Sequence, residues 1–162
     1  MIRNSHAQLL DTRKTTPNFR IVEKWAVEIG GGTNHRFGLY DMVMLKDNHI
    51  DFAGGVAKAL KSTKSYLEKS KKKLKIEIEV RSLQELREVI EEGGVDRIML
   101  DNMIPSQIRQ GITLIDGKYE TEASGGITEI SISEIADTRV DYISVSALTH
   151  SYKSVDMSLK AI

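Results

Sequence analysis

Residues 75–100 read KIEIEVRSLQELREVIEEGGVDRIML, and this stretch decides the fold. The segments Lys75–Val80 and Arg97–Leu100 are short and rich in aliphatic residues, which is typical of buried strands. Between them, Leu83–Glu92 has apolar residues at helical spacing. A strand, a helix and a second strand in this order predict a βαβ unit with parallel strands.

The same alternation continues in both directions along the chain. Further strands are predicted at Ala7–Leu10, Met42–Leu45, Tyr119–Ala123 and Tyr142–Val145. Further helices are predicted at Asn18–Ile29, Gly55–Ser70, Ser106–Leu114 and Glu129–Ala136. This order predicts an α/β fold with a parallel sheet, and 162 residues suit one domain.

The composition argues against several classes of function. With 23 basic and 23 acidic residues, the chain lacks the positive charge expected of a nucleic-acid-binding protein. No apolar run approaches the roughly 20 residues that span a bilayer, so no membrane partner is expected. The chain has no cysteine, which excludes disulfides and thiolate chemistry and fits a reducing cytoplasm.

Polar residues stand at or just past the C-terminal ends of the predicted strands. The clearest groups are Asp11–Lys14, Lys46–Asn48, Asp101–Asn102 and Ser124–Gly126. Ligands of parallel α/β proteins bind at this edge of the sheet. The pattern therefore predicts an enzyme with one site assembled from several strands, and by itself it leaves the chemistry open.

Five side chains that are or can become cationic lie in short polar segments near the predicted strand ends. They are Arg13, Lys14, His35, Arg36 and Lys46. In a chain of zero net charge, such grouping favours a phosphate-rich or polycarboxylate ligand. The alternative for the first two is that they are ordinary surface charges.

Two acids, Glu79 and Asp101, lie near the ends of successive predicted strands. They could hold Mg²⁺, which takes one or two carboxylates together with water and substrate phosphates. The alternative is that each pairs with a neighbouring lysine or arginine. Glu77 shares a strand face with Glu79, because side chains two residues apart in a strand project the same way.

Two glycine-rich segments have different interpretations. Ser124–Gly126 precedes a predicted helix, so its backbone amides and the helix N-terminus could bind a phosphate, although an ordinary turn is an equal alternative. Gly30–Gly32 follows the first predicted helix and is expected to end it as a C-cap and a flexible turn.

The histidines differ in their expected roles. His35 lies beside an arginine in a glycine-rich loop, where ligand contact is expected and a role in the core is not. His49 and His150 are expected to be structural hydrogen-bonding groups at strand-to-helix junctions.

Seven segments in order resemble one known family. They are DTRKTTPNFR, GGGTNHRFGLYD, MLKDNHI, IEIEV, IMLDNM, EASGGI and VDYISVSALTHS, and they resemble the catalytic barrel domain of quinolinate phosphoribosyltransferase. The resemblance implies a cytoplasmic enzyme of NAD biosynthesis that joins quinolinate to phosphoribosyl pyrophosphate and releases nicotinate mononucleotide, pyrophosphate and CO2. It also implies an incomplete TIM-like α/β barrel of about six parallel strands with outer helices, a homodimer, and Mg²⁺ as cofactor.

The resemblance also implies roles for individual residues. Catalytic roles fall to Lys14, Lys46, Glu79 and Asp101, of which the two acids also hold Mg²⁺, either directly or through other ligands. Substrate binding falls to Arg13, Lys14, His35, Arg36, Lys46, Ser124, Gly125, Gly126 and Ser146.

Three features depart from the family pattern. The family carries an N-terminal domain before the barrel, and an arginine from that domain of the partner completes the site; residues 1–162 correspond to the barrel domain alone. Ser146 and Asn18 stand where the family has glycine. The alternatives to the quinolinate enzyme are a related pyrophosphorylase-like protein that acts on another anionic acceptor, and an inactive barrel fragment that serves as an assembly module.

Overall fold

A computed structural model describes residue 2 and residues 4–161, and within them it contains six parallel strands and seven helices. The strands are β1 (Gln8–Leu10), β2 (Val43–Leu45), β3 (Ile76–Val80), β4 (Arg97–Asp101), β5 (Glu120–Ser124) and β6 (Tyr142–Ser144). The helices are α1 (Arg20–Ile29), α2 (Asp47–Ala53), α3 (Val56–Ser70), α4 (Leu83–Glu92), α5 (Pro105–Ile115), α6 (Ile132–Ala136) and α7 (Ala147–His150). The strands form one sheet in the order β1-β6-β5-β4-β3-β2.

The sheet has its two edges at β1 and β2, so its wall is open between them. Residues 33–42 cross this opening. At one side Thr33 forms an isolated parallel bridge with Leu10 of β1. At the other side the Arg36 guanidinium donates to the carbonyl of Met42, just before β2, at 3.2 Å. A loop therefore stands where a closed barrel would have strand pairing.

The sheet curls around a polar interior. His35, in the loop that crosses the opening, contacts Glu77 of β3 and Glu122 of β5 at once. One side chain can reach two strands that are separated by β4 only if the inner face is concave. The predicted incomplete TIM-like α/β barrel of six strands is thus confirmed.

Alternation along β3 separates the two faces of the sheet. Ile76, Ile78 and Val80 belong to the hydrophobic core. Glu77 and Glu79 are buried on the opposite, inner face, as expected for residues two apart in a strand. The largest fully buried apolar side chains of the core include Leu60, Ile78, Leu86, Ile98, Leu100 and Ile108.

The first helix begins two residues later than predicted. Asn18 has φ 64°, in the left-handed region that asparagine tolerates, and α1 starts at Arg20. This turn explains how Asn18 can replace the glycine of the family pattern. At the other end Gly30 is the C-cap and Gly31 has φ 85°, as expected for this glycine run.

Two short helices, α2 and α7, were absent from the sequence prediction, and α6 is shorter than predicted. The predicted Glu129–Ala136 helix begins only at Ile132, because Thr128 and Ser131 form a turn just before it. In that turn the Ser131 Oγ accepts from the Thr128 backbone N–H at 3.0 Å. Among the described residues, no helix has the length and apolar character needed to cross a membrane.

Candidate active site

Two adjoining cavities open at the C-terminal edge of the sheet. One has a volume of about 210 Å³ and contains the side chains of Arg13, His35 and Arg36 on its wall. The other has a volume of about 510 Å³. Its wall includes Glu79, Asp101, Gly125 and Gly126. Residues shared by both walls are Lys14, Lys46, Ser124, Ser144 and Ser146.

All eleven residues that the sequence singled out line one or both of these cavities. The structure therefore brings together residues from the C-terminal ends of β3, β4 and β5, from the segments directly after β1, β2, β5 and β6, and from the loop across the opening. A third cavity, of about 640 Å³, lies at the opposite ends of the strands, beside Gln8, Lys75 and Glu120. Among the described residues, none of the eleven lines that cavity. The cavities of about 210 and 510 Å³ are called the smaller and the larger cavity below.

The smaller cavity has a wall of two guanidinium groups. Burial lowers the pKa of Arg36, and the positive charge of Arg13 lowers it further. Within the described residues, the buried Nε of Arg13 has no hydrogen-bond partner. Two mutually repelling cations with an unused buried donor favour an anion between them.

His35 is buried, which contradicts the expectation that it has no role in the interior. Its side chain is 5 % exposed, and its Nε2 lies 3.0 Å from Glu77 Oε2 and 3.3 Å from Glu122 Oε2. Burial lowers the pKa of His35, but hydrogen bonding and charge from Glu122 and Glu77 outweigh it and raise the pKa to about 9. His35 nevertheless lines the smaller cavity, so its predicted contact with a ligand stays a prediction.

The pKa values of the two carboxylates that contact His35 are shifted in opposite directions. Burial raises the pKa of Glu77 to about 7, against the opposing effect of His35. The pKa of Glu122 is lowered, because His35 and other hydrogen-bonding groups outweigh the effect of its burial. Arg97 also supports the charge of Glu122, since its Nη1 lies 3.2 Å from Glu122 Oε2. The charged side chains of the interior thus form one connected cluster, which consists of His35, Glu77, Glu122 and Arg97.

His35, Glu77 and Glu122 could hold a metal ion. One donor atom from each lies within 4.8 Å of the others. Within the described residues, His35 Nε2 approaches Glu77 Oε2, while Glu77 Oε1 and Glu122 Oε1 are buried without a hydrogen-bond partner. Sequence reasoning placed Glu77 on the same strand face as Glu79 but missed Glu122, although the alternating ETEAS of β5 carried the same signal.

The predicted magnesium pair, Glu79 and Asp101, has protein partners in this structure. Glu79 Oε2 accepts a short hydrogen bond from the ammonium of Lys46. Asp101 Oδ2 accepts from the amide of Asn102 at 2.6 Å. Glu79 is thus paired with a lysine, which was the alternative to a magnesium site. Both acids line the same cavity, and neither belongs to the group of His35, Glu77 and Glu122 that could hold a metal ion.

The glycine segment after β5 is shaped by its backbone. Gly125 has φ 93° and Gly126 has φ 61°, and a Cβ at Gly125 would collide with the side chain of Asn102. The helix predicted to follow this segment from Glu129 begins only at Ile132, so the expectation of a helix N-terminus near these glycines is wrong. Backbone amides, and not a helix dipole, are what this turn can offer an anion.

Two further predicted residues have identifiable partners. Ser146 has φ −64°, so the backbone there does not need glycine, and its Oγ accepts from the Thr12 hydroxyl at 3.3 Å. His49 is structural, as expected, because its Nδ1 accepts from the backbone N–H of Lys46 at 2.9 Å. His150 lines the larger cavity, with its Nδ1 2.7 Å from Ser151 Oγ.

The fold and the site define an incomplete α/β barrel in which cationic side chains line the cavities at the C-terminal edge of the sheet. The chain belongs to the family described as "Quinolinate phosphoribosyl transferase, C-terminal domain", whose family model matches residues 1–160.

Relatives in plants and bacteria carry related names. The chain is 51 % identical over 168 residues to "Quinolinate phosphoribosyltransferase [decarboxylating] 2, mitochondrial" of Nicotiana glauca, covering 95 % of this chain and 48 % of that protein. It is 46 % identical over 152 residues to "Probable nicotinate-nucleotide pyrophosphorylase [carboxylating]" of Bacillus subtilis, covering 94 % of this chain and 51 % of that protein. The chain thus spans about half the length of these relatives.

Solved structures have the same fold. The nicotinate-nucleotide pyrophosphorylase from Francisella tularensis superposes with a TM-score of 0.90 at 43 % identity, covering 97 % of this chain and 54 % of that one. NadC from Streptococcus pyogenes superposes with a TM-score of 0.89 at 48 % identity, covering 96 % and 53 %.

Proposed function

We propose that this chain carries the barrel part of the active site of a phosphoribosyltransferase that joins quinolinate to phosphoribosyl pyrophosphate and releases CO2. The products are nicotinate mononucleotide and pyrophosphate, and the reaction belongs to NAD biosynthesis. The observation that carries this proposal is the convergence of all eleven predicted site residues on two adjoining cavities. The names of the relatives describe the same reaction.

Quinolinate fits the smaller cavity by charge. Its two carboxylates need cationic donors, and Arg13 and Arg36 supply them, while His35 adds positive charge at the same wall. The apolar side chains of Met44 and Met99 on the same wall suit the flat face of a pyridine ring. In this position the dianion would relieve the repulsion between the two guanidinium groups.

Phosphoribosyl pyrophosphate fits the larger cavity. The backbone amides of Ser124–Gly126 and the ammonium groups of Lys14 and Lys46 would bind its phosphates. Glu79 and Asp101 are hard oxygen donors, and they would hold Mg²⁺ together with water and phosphate oxygens. When bound, Mg²⁺ neutralises the departing pyrophosphate.

The chain's own residues then act mainly by position and charge. As pyrophosphate leaves, Glu79 or Asp101 would stabilise the positive charge that develops at the ribose C1. The ring nitrogen of quinolinate attacks this carbon, and the cations of the smaller cavity hold it in line. When the carboxylate beside that nitrogen leaves as CO2, the new pyridinium charge and a nearby cation stabilise the carbanion until it takes a proton.

We further propose that the full-length protein works as a homodimer in the cytoplasm. The absence of cysteine fits a reducing compartment. Helix α1 supports the dimer, because it exposes Ile21, Trp25 and Ile29 on one apolar face. The plant names specify organelles, so cell fractionation is the check on location.

Calorimetric titration tests the proposed reaction. The chain is titrated with quinolinate and separately with phosphoribosyl pyrophosphate plus Mg²⁺, and each titration is repeated with Lys46→Ala and with the exposed control Lys69→Ala. We expect the wild-type chain to bind these ligands. Lys46→Ala should weaken the binding, and Lys69→Ala should leave it unchanged. Binding of a different aromatic acid in place of quinolinate would instead support the related pyrophosphorylase-like protein. A folded chain that binds none of these ligands would support the assembly module.

A further inference from the structure

The polar face of α1 contacts the backbone of the site. Lys24 Nζ lies 2.5 Å from Asp11 Oδ1, and these side chains are 3 % and 0 % exposed. The same Nζ donates to the carbonyl of His35 at 3.0 Å. Asp11 Oδ1 accepts from the backbone N–H of His35 at 2.8 Å. One buried ion pair therefore holds both backbone polar groups of His35.

One turn earlier on the helix, Arg20 donates hydrogen bonds to backbone carbonyls of the loop after β1 and of the loop across the opening. Its Nη2 donates to the carbonyl of Arg13 at 3.1 Å, and its Nη1 donates to the carbonyl of Phe37 at 3.3 Å. Between these contacts, Glu23 Oε2 accepts from the backbone N–H of Thr16 at 2.9 Å. The helix thus binds two of the three segments that carry cationic side chains of the smaller cavity, namely those of Arg13 and His35.

These contacts oppose a force that the site itself creates. Arg13 and Arg36 are like charges on the wall of one cavity, and without an anion they repel each other. They lie on two loops, and a loop without tertiary contacts would yield to that repulsion. Arg20 and Lys24 anchor the two loops through backbone carbonyls, so the spacing of the cations is set before a ligand arrives.

Stability alone does not account for the buried pair. Two charges removed from water give up much of their hydration, and a well-packed apolar pair of similar volume is often as stable. Lys24 and Asp11 also bond the backbone of His35, so the ion pair fixes the path of the loop in addition to any effect on stability.

We propose that Arg20 and Lys24 are positioning residues that fix the backbone of Arg13 and His35 and so preorganise the anion site. This inference rests on the proposed function for its ligand, quinolinate. Neither residue lines the cavity that the ligand would occupy, within the part of the chain that the structure describes.

Two variants and one control test the inference. Arg20→Gln removes the guanidinium contacts from a half-buried position. Asp11→Leu combined with Lys24→Met removes the ion pair and both of its contacts with the His35 backbone, without leaving a buried charge uncompensated. Glu28→Gln changes an exposed charge on the same helix and serves as the control. Thermal unfolding first identifies the variants that remain folded.

Calorimetry with quinolinate is the first measurement. We expect the affinity to fall about tenfold or more in both variants and to stay at the wild-type value in the control, because misplaced donors lose their alignment with the carboxylates. Wild-type affinity in both folded variants would overturn the inference.

Hydrogen exchange at the His35 backbone amide is the second measurement, and it needs no ligand. Faster exchange in the double variant, with unchanged exchange in β4, is the expected result. Unchanged exchange at His35 would overturn the inference. If the wild-type chain does not bind quinolinate, the proposed function fails, and the exchange experiment alone decides the positioning role.

Discussion

Nε2 of His35 lies 3.0 Å from Oε2 of Glu77, in the interior of the barrel. Burial lowers the pKa of His35, but Glu122 and Glu77 raise it from 6.5 to about 9. Because the folded-state pKa is the higher one, the contribution of His35 to stability is complete below pH 6.5. It is lost as the pH rises through about 9.

The stability of the chain should therefore fall between pH 7 and 9. Glu77, whose pKa is raised to about 7, completes its ionisation in this window and adds a smaller loss of stability in the same direction. We expect His35→Gln to be less stable than wild type at pH 7, by on the order of 2 kcal/mol, and the difference to shrink towards pH 9. Denaturant unfolding at both pH values measures this. An NMR titration that places the His35 imidazole near pH 6.5 would contradict the prediction.

Lys46 and Glu79 should be required for turnover more than for folding. Both side chains line the larger cavity, and a short hydrogen bond joins them. We expect Lys46→Ala and Glu79→Ala, introduced at the matching positions of a full-length relative, each to lower kcat by about a hundredfold or more. The thermal midpoint should change little. Wild-type turnover in both variants would refute the roles assigned to them.

Gly125→Ala should damage both stability and phosphate binding. The residue has φ 93°, and an added Cβ would meet the side chain of Asn102. Gly117→Ala is a matched control, since Gly117 has φ 68° but nothing within 4 Å of the added carbon. We expect the control to lose about 1 kcal/mol from backbone strain alone and Gly125→Ala to lose more. Equal losses in urea unfolding would show that the contact with Asn102 is unimportant.

The apolar face of α1 should drive association of the isolated chain. Trp25 is 62 % exposed and Ile29 is 72 % exposed, on the same helix. We expect light scattering to show self-association that Trp25→Glu weakens, because a charge opposes burial of this face. Phe52→Glu is the control, since Phe52 is 93 % exposed on a different helix. A monomeric wild-type chain at high concentration is the opposing result.

The sequence predicted the elements whose pattern is local and repeated. In β3 the alternation of isoleucine and glutamate specified a strand with one apolar and one polar face, and the burial of Ile78 and Glu77 follows it. The cavity residues were also predictable, because parallel strands deliver their C-terminal ends to one edge.

The features that the sequence did not predict depend on distant partners or on short elements. His35 is buried because two strands far along the chain place carboxylates beside it, and no local pattern carries that information. Helix α7 has four residues, too few for a periodic pattern. The turn at Thr128 replaces the first part of the predicted Glu129–Ala136 helix through hydroxyl contacts that compete with helical hydrogen bonds.

The opening between β1 and β2 gives the bound anion a mechanical role. Arg13 follows β1, Lys46 follows β2, and Arg36 lies in the loop between them, so the cations belong to both sides of the gap. An anion held by all three would act as a removable cross-link across the seam of the barrel. An anion that binds only the closed seam would stabilise it against unfolding by an amount that its affinity sets, so the two measurements should agree.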